Sequence, residues 1–108
     1  EAPFFVKATS QALRDWATRM MESVSLPVAL ACHRTLTSTD CRPDLAEIDR
    51  PVLIIQGDKD ASMPLAITGE LTNKHIARSR ISIYEGAPHG LPFTHTNRLI
   101  QDIITQAQ

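Results

Sequence analysis

The stretch PVLIIQGDKD, from Pro51 to Asp60, decides how the rest of the chain is read. Val52, Leu53, Ile54 and Ile55 are apolar in succession, without the alternation of a half-exposed strand, so they predict a strand covered on both faces, as in a parallel sheet flanked by helices. Arg50-Pro51 ahead of it enforces an extended backbone. Gly57-Asp58-Lys59-Asp60 behind it predicts the turn at the strand's C-terminal end.

Downstream, Pro64 suits the first turn of a helix that would bury Leu65, Ile67, Leu71 and Ile76. Ile81-Ser82-Ile83-Tyr84-Glu85 then alternates as a second strand. A strand, a crossover helix and a strand within about 35 residues make a βαβ unit, whose two strands run parallel. The turn Gly57 to Asp60 and the loop Gly86 to Gly90 are therefore expected along one sheet edge. A final helix, starting near Thr94 or Thr96, carries Leu99, Ile100, Ile103, Ile104 and Ala107 on a stripe expected to pack on the sheet.

Upstream, Asp44 is expected to cap a short turn through Leu45 and Ile48, preceded by a polar connector over residues 37–43. A helix opening near Pro27 would turn Val28, Ala31 and Cys32 towards a core. Ser10 is a candidate N-cap for an amphipathic helix reaching Val24, with Leu13, Trp16, Ala17, Met20, Met21 and Val24 on one face. The fold class is α/β, with two helices ahead of a βαβα unit.

The 108 residues are 43% hydrophobic and 21% charged, which is ordinary globular composition. Eleven Lys and Arg against twelve Asp and Glu leave a net charge of −1, so no sequence-wide basic field exists to bind nucleic acid or an anionic membrane. Arg78, Arg80 and Lys74 read as a solvated basic edge. The longest apolar run falls far short of the roughly 20 residues that span a bilayer. A soluble, cytoplasmic protein is expected, although the chain begins with Glu1 rather than Met. Cys32 and Cys41 show neither a C-x-x-C pattern nor a zinc-finger spacing, and are expected to be reduced, partly buried thiols. His95 could join the aspartates in a metal site, but no metal or other cofactor is expected. His33 and His75 read as surface or core residues.

The shared loop edge is where open α/β proteins bind ligands. A carboxylate that accepts from imidazole Nδ1-H fixes the tautomer and stabilises the imidazolium formed when Nε2 takes a proton from a nucleophile. Asp60 and His89 suit those roles, with Asp58 a competing acid. Gly57, Gly86 and Gly90 are expected to permit the turns, and Pro88 stiffens the backbone before the imidazole.

PVLIIQGDKD together with YEGAPHGL, from Tyr84 to Leu91, resembles the last two strands and loops of α/β-hydrolase enzymes, and within them the cofactor-free haloperoxidase/esterase branch. By that resemblance Asp60 and His89 fall on the acid and the histidine of a Ser-His-Asp triad. RPDLAEIDRP, from Arg42 to Pro51, is similar to the family's link from cap to core. The resemblance implies cap helices over residues 1–43 and the C-terminal part of the hydrolase core over residues 44–108. It also makes Phe4, Phe5, Trp16, Met20 and Met21 candidate walls of an acyl pocket. Leu91, Pro92 and Phe93 are either helix-entry packing or pocket lining beside His89.

None of the seven serines stands in a G-x-S-x-G sequence. Ser62 is nearest to the acid, but reads better as a cap for the helix opened by Pro64. The expectation is a C-terminal hydrolase fragment, inactive alone, whose nucleophile and oxyanion donors lie in another segment. Its exposed sheet edge calls for a partner, either the N-terminal half of the domain or a second copy of the chain. The implied substrate is a small ester or acyl compound, with peroxide as a further acyl acceptor. The rival reading is a non-catalytic module for dimerisation or small-ligand binding.

Overall fold

A computed structural model describes residues 4–108. Strands β1, Val52–Gly57, and β2, Ser79–Tyr84, pair in parallel, from Val52 opposite Ser79 to Gly57 opposite Tyr84. Both strands therefore end at one level, and the turns that follow leave side by side. Six helices accompany them among the described residues: α1 Gln11–Glu22, α2 Leu26–Ser38, α3 Arg42–Leu45, α4 Gly69–His75, α5 Leu91–Thr94 and α6 Thr96–Ala107.

Local chemistry sets most of these boundaries. The Ser10 hydroxyl accepts from the Leu13 amide at 3.3 Å and starts α1, while Pro27 occupies the first turn of α2. Asp44 does not cap the following turn. It lies inside α3, and Asp40 Oδ1 accepts from the Arg42 amide at 3.0 Å instead. The polar residues Thr37 and Ser38 are helical because their side chains need not leave water, and Thr37 Oγ1 bonds back to the His33 carbonyl.

The crossover departs from the expected single helix. Leu65–Ile67 forms a short 3-10 turn, and α4 starts only at Gly69. Ile67 and Leu71 are exposed, whereas Ile76 is buried. Gln56 ends up inside because its amide nitrogen donates to Met63 O and Thr68 Oγ1, at 2.5 and 2.9 Å. The final helix, α6, starts at Thr96 as expected, with the short α5 as an additional turn ahead of it.

Tyr84, Ala87 and Leu91 form a small core, with Ile55 and Leu99 packed against it. The Tyr84 hydroxyl donates to Asp102 Oδ2 at 2.7 Å, and the Arg98 guanidinium lies 3.8 Å from the ring centroid, which ties α6 to β2. Much of the predicted apolar surface is nonetheless uncovered. Only Ala17 of α1 is buried, no residue of α2 is, and Ile100, Ile103 and Ile104 are about half exposed. Cys32 and Cys41 are exposed free thiols, not partly buried ones: no residue of α2, which carries Cys32, is buried, and Cys41 lies in the open just before α3. Accessible surface totals 7918 Å², against about 6,000 Å² for a compact monomer of this mass.

Candidate active site

The site is built by two turns zipped to one another. Asp58 N donates to Tyr84 O at 3.1 Å and Lys59 N to Ala87 O at 3.0 Å, carrying the β1–β2 pairing past the strand ends. Gly57 is needed for space, not for an unusual backbone angle: a Cβ there would lie 2.0 Å from Ala87 O. Gly86 is the residue with positive φ, 72°, and turns the chain into the histidine loop. Gly90 also serves space, since its φ is −74° and the Phe5 ring would stand 2.5 Å from an added Cβ. Pro88, fully buried, fixes the residue before the imidazole.

These turns bring His89 Nδ1 to 2.8 Å from Asp60 Oδ2. An ionised carboxylate only accepts, so Nδ1 carries the proton and Nε2 is the ring's basic nitrogen. The Asp60 side chain is 5% exposed and that of His89 38%, an arrangement that shields the acid and leaves the base open to an incoming group. Asp60 Oδ1 accepts from the amides of Ser62 and Met63, at 3.0 and 2.8 Å. Three bonds thus hold one carboxylate in place, two amides on Oδ1 and the imidazole on Oδ2. Among the described residues Nε2 has no hydrogen-bond partner.

Asp58 takes a different partner, the Gly86 amide, at 2.6 Å. Ser62 does not cap the next helical turn through its hydroxyl, which begins at Pro64 without a side-chain cap. His95 faces Thr94 Oγ1 at 2.8 Å and the Tyr84 ring, and His75 bonds back to Leu71 O. His33 is exposed on α2.

The segment before α1 reaches the site. Phe4 O accepts from Gly90 N at 2.8 Å, and the Phe4 ring meets the His89 ring edge-on, with centroids 5.2 Å apart. Arg14 holds this segment through Val6 O and Thr9 O. Phe4, Phe5, Ala17 and Met21 line part of a cleft of about 170 Å³ between the segment and α1. Trp16 packs edge-on against Phe93, centroids 5.1 Å apart, outside that lining. Met20 is half exposed, and Leu91 belongs to the core beside Tyr84. The Asp58–Gly86 bond and the Phe4–Gly90 bond are absent from the sequence reading. Each joins residues far apart in the chain, and no local pattern announces them.

No family model matches the chain. It is 33% identical over 97 residues to a non-heme chloroperoxidase of Streptomyces lividans, covering 88% of this chain and 34% of that protein. It is 31% identical over 103 residues to the AB hydrolase superfamily protein YisY of Bacillus subtilis, covering 95% and 38%. A bromoperoxidase crystal structure from Bacillus anthracis superposes with a TM-score of 0.90 at 30% identity, over 97% of this chain and 40% of that one. The chain belongs to the α/β-hydrolase superfamily. Within it, the chain is related to the non-heme haloperoxidases and esterases, and its two-stranded sheet with flanking helices is consistent with the C-terminal portion of their fold. It spans between 34% and 40% of the length of the three proteins named here.

Proposed function

We propose that this chain supplies the acid and the base of a Ser-His-Asp acyl-transfer site, with Asp60 orienting His89 and a serine from the rest of a hydrolase domain as nucleophile. The observation that carries the reading is the 2.8 Å contact between His89 Nδ1 and Asp60 Oδ2 at the C-terminal ends of adjacent parallel strands. His89 Nε2 takes the proton from the serine hydroxyl as it attacks the ester carbonyl, then returns it to the departing alkoxide. Water repeats the sequence on the acyl-enzyme, and peroxide in its place yields a peracid. The buried Asp60 carboxylate stabilises the imidazolium in both steps.

In this reading residues 1–43 are the cap and residues 44–108 the C-terminal core. Trp16, Met20 and Phe93, with Phe4 and Phe5, face a small acyl group. The N-terminal half docks on the apolar groove of about 430 Å³ beside β1 and α6, lined by Val52, Leu53, Ile55 and Ile103. A strand laid there would cover the open side of β1 and Ile103 of α6.

The test is complementation with a hydrolase N-terminal half that carries G-x-S-x-G, read as hydrolysis of p-nitrophenyl acetate. The chain alone is expected to be inactive, and the assembled protein active. His89→Ala should lower kcat by about 10³-fold or more in the assembled protein. Undiminished turnover in that variant would overturn the assignment.

A further inference from the structure

We propose that Asp58 is a positioning residue, whose carboxylate sets the distance between Asp60 and His89 by holding the start of the histidine loop. The proposal rests on the reading of those two residues as acid and base. Asp58 Oδ1 accepts from the Gly86 amide at 2.6 Å, a charge-assisted bond between the two turns. The other direct links between them near the strand ends, Asp58 N to Tyr84 O and Lys59 N to Ala87 O, are backbone to backbone. Asp58 thus makes a side-chain link at the base of the same ladder whose outer rung is Asp60 to His89.

The position of the link matters. Gly86 holds φ at 72°, and its backbone direction fixes where Ala87, Pro88 and His89 emerge. Gly86 itself is exposed, with no atom beyond its chain neighbours within 4 Å of an added Cβ, so packing does not hold it. The Asp58 carboxylate does. Asp58 is likewise exposed, and its retention of a short bond to a distant amide is not explained by the core. Without that acceptor the Gly86 amide turns to water, the loop pivots about its left-handed residue, and the imidazole loses its fixed approach to Asp60.

The readout is the low-field Nδ1-H proton resonance that a histidine shows when hydrogen-bonded to a carboxylate, assigned to His89 by its loss in Asp60→Ala. Asp58→Ala should weaken or abolish it at unchanged far-UV circular dichroism. Asp58→Asn, which keeps an oxygen at the same reach, should restore it. In the complemented hydrolase, Asp58→Ala should lower kcat by about 10-fold with KM unchanged, and Asp58→Asn should recover most of the loss. If Asp58→Ala does not fold, Asp58→Ser replaces it, since its hydroxyl falls an atom short. An unaltered resonance and kcat in the folded Ala or Ser variant overturns the positioning role. Absence of the resonance from the unmutated protein would instead remove the Asp60–His89 pairing on which the proposal stands.

Discussion

Substituting Gly57 by Ala places a methyl group where the two turns meet. The new Cβ would stand 2.0 Å from Ala87 O, 2.5 Å from Ala87 C and 2.9 Å from Ala87 Cβ. The first two are backbone atoms, so no side-chain rotation relieves the clash, and the histidine loop must retreat by roughly 1 Å or more. That retreat breaks the Lys59 N to Ala87 O bond, now 3.0 Å, and carries His89 away from Asp60. Overpacking costs about 1–3 kcal/mol and a lost hydrogen bond about 1 kcal/mol, for a total of about 2–4 kcal/mol. For a domain of this size the thermal midpoint should fall by about 10 °C or more. The assay is a circular-dichroism melt at fixed concentration, read beside the His89 low-field resonance. Ala87→Gly in the same chain should not rescue the variant, because it removes only the third of the three contacts. A midpoint within about 2 °C of the parent, with the resonance unmoved, would refute the argument that this glycine is required by close approach.

Tyr84 is the only tyrosine in the chain, so phenolate absorbance reports it alone. Burial first, and then the hydrogen bond to Asp102, pushes its pKa up from 10.0 to about 12. The folded state holds that proton more tightly than the unfolded chain, so the stabilisation is complete below pH 10 and lost as pH rises towards 12. A midpoint near 10 in a chain still folded by circular dichroism would contradict it. At the acid end, the Tyr84 hydrogen bond holds Asp102 below the usual carboxylate range, opposed by burial and aided by Ser82 and nearby arginines. Its contribution is present above the ordinary carboxylate pKa and disappears as pH falls through the lowered value, so Tyr84→Phe should flatten the acid limb of a stability profile. Gln56→Leu should cost about 1–3 kcal/mol by removing the amide donor from Met63 O and Thr68 Oγ1, with only the Thr68 hydroxyl left to serve Met63 O, seen as a lower urea midpoint at unchanged slope. An equal midpoint would show that those groups find water instead.

The strands were legible because their pattern is a consequence of burial itself. Four successive apolar residues after Arg50-Pro51 read as a strand, and Gly57 marks where it stops, although Val52 to Ile55 are only partly buried and not covered on both faces as expected. The meeting of Asp60 with His89 followed from topology, since two parallel strands must release their turns on one edge. The residues and the resemblance put Asp60 ahead of Asp58 as the partner of His89, but what Asp58 does instead was not legible. Asp58 and Asp60 are both turn carboxylates two residues apart, and only the three-dimensional path shows Asp58 reaching Gly86. Burial was also over-read. Periodicity in α2 and α6 marks a face suited to a partner, and it cannot tell whether that partner is present in the same 108 residues. The split of the crossover into a 3-10 turn and α4 escaped notice because Gln56, a strand residue, recruits Met63 and Thr68 from the segment that local propensity would have made helical.

The placement of the two thiols bears on how the protein can be attached to a support. Lysines occur only at positions 7, 59 and 74, and two of these sit on segments that frame the imidazole: Lys7 follows the Phe4 segment and Lys59 adjoins Asp60. Amine-directed coupling would therefore crowd the edge that carries Asp60 and His89. Maleimide coupling through Cys32, on α2, or Cys41, just before α3, both open to solvent, attaches the chain away from the residues that follow β1 and β2 in sequence.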